Sequence, residues 1–337
     1  MSFFDKKINV SRFTFEPVSL EEIKEKLNNF TAPKLNTVDT ETVTGWSNAE
    51  DLTSTDFANS VVAEKYLYVN MRIAVKKLPA GLFKMLTAQK FAEYKKENCK
   101  DIIPSKIKKE LKEEVAEKLL PKIAPTVKNI WVIFTDDGKL FAGTTSSAEK
   151  QLLYDLVYRT LDVDIVPVMP EKIIGAVPVQ EFFTDIFRLY DTMELANRDF
   201  VVHSPYTLES LEDSPCVKTG LSGMDLESSS ELNTALKEGK SFAKIRLSVN
   251  AGMFEKYLVA GFIDENDIFT FTLEQSGNYS GVVLPECDTL SFADLFVERI
   301  ELLKSLCKLA DSMMGSFAKK AALPDYEILK REWIEGR

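Results

Sequence analysis

Apolar and polar residues alternate along several short stretches of the chain, a pattern typical of strands that turn one face towards a core. The clearest is KYLYVNMRIAVKK, where the alternation predicts a strand of about ten residues. INVSRFTF alternates in the same way, and NIWVIF and LFAG flank Asp137-Gly138, a dipeptide that favours a two-residue hairpin turn. SFAKIRLSVN, KYLVAGFID and IFTFTLEQS predict three strands nearer the C-terminus. We therefore expect sheet in both halves of the chain.

Helical periodicity fills most of the segments between these strands. Ser19 is predicted to cap the helix of LEEIKEKL, with Glu22 at the spacing of a capping box. Ser147 is the predicted cap of the next amphipathic helix, and FADLFVERIELLKSLCKLADSMMGSFAKKA predicts a long closing helix. VQEFFTDIFRLY, over 179–190, also has helical period. TGWS, at 44–47, opens a segment with the composition of turns.

Residues 79–122 are predicted to form two helices that meet near Pro104 and pack as an antiparallel hairpin. Each helix is expected to have one apolar stripe and one wet, lysine-rich face; the stripe of the first helix consists of Leu82, Met85, Leu86 and Phe91. Together with the strands, this predicts an α+β fold. It would have mixed sheets, packed helices and a projecting lysine-rich helical pair.

Charge is distributed unevenly along this chain, whose net charge is -10. Residues 72–128 hold 15 Lys and Arg against 7 Asp and Glu, a net +8, which leaves -18 for the rest. Residues 181–238 hold 4 basic and 12 acidic residues. We therefore predict an N-terminal α+β domain over 1–180 and an acidic C-terminal α+β domain over 181–337. The basic segment is either a footprint for a polyanion or a solvated face whose lysines pair with neighbouring glutamates.

Few residues form the pattern of a cofactor or nucleophile site. His203 is the only histidine, so a serine or cysteine nucleophile that needs a histidine base would have to use it. Neither GxxxxGK[ST] nor GxGxxG after a strand occurs, so we expect no nucleotide cofactor and no small-molecule substrate. The four cysteines form no CxxC pair, which predicts reduced thiols and no metal site.

A metal-dependent nuclease requires clustered carboxylates, and three sets of residues are candidates for such a cluster. They are Asp136 with Asp137, Asp162 with Asp164, and Glu238 with Lys240. The first set lies on the predicted turn, where aspartates commonly bond backbone amides, and the last has the E-x-K spacing of one nuclease class. A metal-dependent DNA exonuclease is therefore kept as an alternative function.

An ordered set of short motifs runs through the chain. A G-W near the N-terminus and an L-P precede the helical pair, whose second helix carries L-K-x-E-V and L-L-P-K. S-A-x-K then opens a helix, and E-G-K precedes a strand. The matching residues are Gly45-Trp46, Leu78-Pro79, Leu111-Lys112, Glu114-Val115, Leu119-Leu120-Pro121-Lys122, Trp131, Gly138, Ser147-Ala148, Lys150 and Glu238-Gly239-Lys240. The ordered set resembles the RdgC family, the recombination-associated proteins of bacteria, over roughly residues 3–318.

The resemblance implies an α+β protein that pairs into a ring-shaped homodimer and encircles double-stranded DNA without sequence preference. Family members are thought to modulate recombination by hindering RecA, so RecA is a second implied partner. No cofactor and no membrane are implied, and we expect no enzymatic activity. A cytoplasmic, nucleoid-associated location is expected, since MSFFDKKINVSRF lacks the layout of a signal peptide and no apolar run approaches ~20 residues.

The resemblance assigns DNA contact to the lysine-rich segment, where phosphate binding requires only positive charge at suitable positions. The predicted DNA-binding residues are Lys106, Lys108, Lys109, Lys122, Lys128 and Lys218. Since adjacent residues point about 100° apart on a helix, Lys108 and Lys109 cannot both face one duplex.

Five positions depart from the family pattern. Ala124 and Pro125 stand where members carry a second basic residue and the aromatic that closes the ring, and Thr126 stands where another basic residue is expected. Gly223 and Met224 stand where the finger carries a lysine. These departures, with the net charge of -10, suggest a second alternative. It is an acidic protein-interaction module that has lost DNA binding.

Overall fold

The computed structural model describes twelve strands and seven helices. It covers residues 3–4, 7–34, 42–99, 102–168, 184–185, 200–210, 218–221, 230–249, 257–263, 269–275 and 291–336. The strands are β1 Lys7–Thr14, β2 Thr42–Asn48, β3 Val61–Val62, β4 Tyr66–Val75, β5 Thr126–Thr135, β6 Lys139–Ala142, β7 Val166–Pro167, β8 Phe200–Ser210, β9 Lys218–Leu221, β10 Lys240–Val249, β11 Tyr257–Ile263 and β12 Phe269–Gln275. The helices are α1 Leu20–Leu27, α2 Ala80–Asn98, α3 Ser105–Leu119, α4 Ser147–Leu161, α5 Ser230–Lys237, α6 Phe292–Ala321 and α7 Tyr326–Gly336, with 3-10 turns at Asn28–Phe30 and Leu120–Lys122.

The strands join into one sheet in the order β2-β4-β5-β6-β1-β12-β11-β10-β8-β9, with β3 beside β4 and β7 beside β1. β1 holds the two halves of this sheet together. Its residues Lys7 to Val10 pair with β12, and Ser11 to Thr14 pair with β6, both antiparallel. The α+β class is therefore confirmed, and the division near residue 180 stays a prediction.

The main core lies between one face of the sheet and helices α1 and α4. Leu67, Val69, Met71 and Ile73 alternate along β4 and point into it, as the sequence pattern predicts. Trp46 of β2 is fully buried there, and its indole Nε1 donates a hydrogen bond of 2.8 Å to Thr160 Oγ1 of α4. Because the buried indole N–H has a hydrogen-bond partner on α4, this contact holds β2 against the helix layer.

The opposite face of the sheet is also covered, because α6 packs on it. Tyr68 of β4 lies beside Phe296 of α6, with ring centroids 5.1 Å apart. The Tyr66 hydroxyl donates a 2.5 Å hydrogen bond to Glu301 of α6, and Lys304 Nζ lies 3.1 Å from the same hydroxyl. As a result the first nine residues of β4 are buried on both faces.

Most predicted elements are confirmed, and their local signals act as expected. The Ser19 side chain accepts a hydrogen bond from the Glu22 amide, so the predicted cap of α1 is correct. Gly138 has φ +75 in the predicted β5–β6 hairpin, a conformation that glycine adopts without steric cost. Two predictions are wrong. The 44–47 segment is part of strand β2, and α4 begins at Ser147, so Ser146 is its N-cap.

The helix predicted over 179–190 lies outside the described residues, except for Thr184 and Asp185. Those two are buried, and Asp185 accepts a hydrogen bond from the Tyr326 hydroxyl of α7. Lys330 Nζ of α7 lies 3.1 Å from Asp185 Oδ2. The C-terminal helix is thus tied to the body of the protein by a buried carboxylate. Among the described helices, none is both long enough and apolar enough to cross a membrane.

Candidate nucleic-acid interface

Helices α2 and α3 form the antiparallel hairpin that the sequence predicts. Lys90 of α2 reaches Glu114 of α3 at 3.4 Å, and these residues are nearly equally far from the connection at 99–104. Thr87 is the buried residue of α2, while Val115 and Leu119 are buried on α3. Leu120 to Lys122 form a 3-10 turn that leads into β5, the strand beside β4. The hairpin is therefore attached to the core sheet at both of its ends.

The outer face of α2, opposite α3, carries apolar and small residues. Met85 is 59% exposed and Leu82 39% exposed, and Ala88 and Ala92 follow at helical spacing and are also exposed. The predicted apolar stripe of α2 is therefore wrong at Leu82 and Met85, which are exposed, whereas Leu86 and Phe91 of the same stripe are partly buried. We call Leu82, Met85, Ala88 and Ala92 the outer face of α2.

Several lysines of this region are neutralised by neighbouring glutamates. Glu114 accepts hydrogen bonds from Lys118 and Lys90, and these bonds, that of Lys118 first, hold the pKa of Glu114 below its ordinary value. Lys109 Nζ lies 3.7 Å from Glu113, and Lys128 pairs with Glu149. The interpretation of the basic segment as a solvated face with paired lysines is thus correct for these residues.

Four other lysines lie together on one side of the hairpin. Lys84 and Lys95 are about 20° apart around α2, and Lys108 and Lys112 are about 40° apart around α3. Relative to the contact between Lys90 and Glu114, both pairs are turned in the same rotational sense about their own helix, by about 130° on α2 and about 140° on α3. Because the helices run antiparallel, the two pairs therefore project from the same side of the hairpin. All four are exposed, and within the described part of the chain none has an ion-pair partner. We call Lys84, Lys95, Lys108 and Lys112 the basic flank.

The six predicted DNA-binding lysines do not form one surface. Lys108 belongs to the basic flank, whereas Lys106 points about 160° away from it around α3. Lys122 is exposed at the foot of the hairpin, close in sequence to the paired Lys128. Lys218 begins β9, opposite Glu209 of β8, in the other half of the sheet. These assignments stay predictions.

Sequence reasoning missed three residues of the basic flank, Lys84, Lys95 and Lys112. The i, i+4 spacing of Lys108 and Lys112 is visible in the sequence, as is the eleven-residue spacing of Lys84 and Lys95, about three helical turns. The sequence does not show which lysines form ion pairs with glutamates. That choice depends on the contact between α2 and α3, as the Lys90–Glu114 pair shows.

The carboxylates considered for a nuclease are dispersed. Asp137 bonds Thr135 and Lys139 in the hairpin turn, and Asp162 ends α4 in a left-handed conformation. Glu238 is exposed beside Gly239, whose φ of +83 turns the chain from α5 into β10. In the described segments, no three His, Cys, Asp or Glu residues are grouped so that they could hold a metal ion.

A wide groove lies between β2 and α4, with a volume of about 1040 Å³. Asp155 and Asp164 line it, and Arg159 donates a 2.9 Å hydrogen bond to Thr44 across it. Acidic residues in this groove make it a poor surface for a phosphate backbone.

In a comparison with known protein families, a family model described as "Putative exonuclease, RdgC" matches residues 3–253. The match includes the α2–α3 hairpin and strands β1 to β10. No curated protein matches the chain.

Proposed function

Because the chain belongs to the RdgC family of recombination-associated proteins, we propose that it binds duplex DNA without sequence preference. The observation that carries this proposal is the basic flank. Its four lysines are exposed, lie on one side of a hairpin and have no ion-pair partner in the described part of the chain. Lysines in such an arrangement neutralise phosphates and read no bases, so binding is independent of sequence.

The outer face of α2 supports the further proposal of a homodimer. Exposed Met85 and Leu82 lie on the hairpin itself, where a second copy of the hairpin could cover them. In a ring of two copies, one basic flank from each copy would face the enclosed duplex. The ring would obstruct RecA on that DNA, and the protein would be nucleoid-associated in the cytoplasm.

The salt dependence of duplex binding tests the proposed DNA function. The affinity for a labelled, mixed-sequence duplex is measured by fluorescence anisotropy at several salt concentrations without magnesium. If all four flank lysines contact phosphates, the slope of log K against log salt is expected to be about -4 for one hairpin and about -7 for two. A duplex affinity that does not change with salt, or no binding at low salt, would contradict the proposal and favour the protein-interaction module.

The competing function is an exonuclease, because the matching family model is described as a putative exonuclease. The same duplex, incubated with magnesium and a high concentration of the protein, distinguishes the two. Release of nucleotides would establish a nuclease. An intact duplex that still shows salt-dependent binding would support DNA binding without hydrolysis.

Replacing Met85 with Glu tests the homodimer. A charge on the outer face of α2 would have to be desolvated in the dimer, so the dissociation constant for self-association is expected to rise about tenfold or more. Sedimentation velocity over a range of protein concentrations measures this constant. Leu323→Glu is the matched control, because Leu323 is 49% exposed and lies outside the hairpin. A monomeric wild type, or equal effects of both variants, would refute this dimer surface.

A further inference from the structure

A second pocket, of about 230 Å³, lies between strands β1 and β6 and helix α6. Arg12 of β1, Lys139 of β6, and Lys304 and Lys308 of α6 line it. Lys304, Cys307, Lys308 and Asp311 recur at helical spacing, so one stripe of α6 faces the pocket. Nothing in the proposed DNA function uses this place in the fold.

The pocket has an excess of positive charge. Among the described residues, four cationic side chains line it, and Asp311 is the one carboxylate in its lining. Asp137 and Glu301 pair with Lys139 and Lys304 from outside the lining, and even with them the seven described side chains sum to a net charge of +1. In a chain with a net charge of -10, such a local excess is a specific feature of this pocket.

The side chain of Arg12 supplies a fixed charge at the wall of the pocket. It is only 5% exposed, and its Nη1 donates to both oxygens of Asp311, at 2.9 and 3.1 Å. Cys307 lies beside it, and burial raises the pKa of this thiol to about 11. The thiol is therefore neutral at physiological pH and does not offset the positive charge.

The lysines keep hydrogen-bond donors for a ligand. An ammonium has three N–H donors, and Lys304 uses two of them, on Tyr66 and Glu301. Lys139 has Asp137 as its partner, and exposed Lys308 makes no hydrogen bond or ion pair with a described residue, although its charge acts on Glu301 from a longer distance. Several donors therefore remain for an anion with more than one acceptor oxygen.

The size of the pocket limits the ligand. Its volume lies below the ~300–1,000 Å³ typical of sites for drug-sized ligands, and buried Phe141, which pairs with Arg12 across β1 and β6, forms an apolar wall. We propose that this pocket binds a small oxyanion of the phosphate class. The anion would bridge β1 and β6 to α6 and so stabilise the packing of α6 on the sheet.

The source of the phosphate is either free inorganic phosphate or the backbone of a nucleic acid, and one variant distinguishes them. Calorimetric titration of the full chain with inorganic phosphate is expected to show binding at millimolar concentration or below. Lys308→Glu should weaken this binding about tenfold or more, since it removes a donor and adds a repelling charge. Lys319→Glu, an exposed residue further along α6, is the matched control and should bind as the wild type does.

Duplex binding by the same two variants completes the test. Loss of phosphate binding with unchanged duplex affinity would assign the site to free phosphate, whereas a parallel loss would assign it to a backbone phosphate. No heat on titration with phosphate, or equal binding by Lys308→Glu and the wild type, would overturn the proposal. Because the phosphate titration contains no DNA, failure of the proposed DNA function would not alter its result.

Discussion

Reversal of Lys108 and Lys112 together, to Glu, is expected to lower duplex affinity about tenfold or more at moderate salt. The change removes two phosphate contacts from the basic flank and introduces two charges that phosphates repel. The slope of log K against log salt should become less steep by about two units for one hairpin and about four for two, because about two fewer counterions are released for each hairpin. Fluorescence anisotropy with the labelled duplex measures both quantities. Both lysines are exposed, so the circular dichroism spectrum should not change.

The matched control for this variant is the reversal of Lys106 and Lys109 on the same helix. It changes the net charge by the same amount, but Lys106 lies on the other side of α3 and Lys109 is already paired with Glu113. We expect its effect on duplex affinity to be less than about threefold. Equal losses from both double variants would show that net charge, and not the basic flank, governs binding. No loss from either would remove the hairpin from the DNA interface.

The contrast between these two pairs shows how far the sequence determines the candidate site. The excess of lysine over residues 72–128 and the hairpin that carries it are predictable from composition and periodicity. Which lysines remain available is not predictable, because Glu114 takes one partner from its own helix, Lys118, and one from α2, Lys90. The second pair exists only once the helices have packed.

Strand β4 shows a similar limit of prediction from sequence. Its alternation of apolar and polar residues predicts a strand with one wet face, yet Asn70 and Arg72 on the polar face are buried. They are buried because further structure covers that face of the sheet, as α6 does at Tyr66 and Tyr68. The periodicity of the sequence shows how polar one face of a strand is. Whether that face is exposed to water depends on tertiary packing. The prediction for Leu82 and Met85 is wrong for the converse reason. These apolar side chains are exposed because no described element covers them.

Gly45 explains why the prediction that residues 44–47 begin a turn segment is wrong. Glycine favours turns in sequence statistics, but here it lies within β2, opposite Arg72 of β4. Ala32 approaches this point closely, and its amide donates a 2.7 Å hydrogen bond to the carbonyl oxygen of Trp46. The glycine is therefore required by a close approach of two backbones rather than by a turn.

Replacing Gly45 with Ala is expected to destabilise the protein by about 3 kcal/mol, at the upper end of the usual cost of overpacking. A Cβ at this position would lie 2.6 Å from the Ala32 Cα and 2.7 Å from the Ala32 nitrogen, and backbone atoms cannot rotate away. Neither can the strand move outwards, because Trp46 is buried and bonded to Thr160. Equilibrium unfolding in urea measures the change. Gly81→Ala is the matched control, because a Cβ there meets nothing within 4 Å and α2 should gain up to about 1 kcal/mol from alanine. A Gly45→Ala variant as stable as the wild type would show that the Thr31–Ala32 segment is not held against β2 in solution.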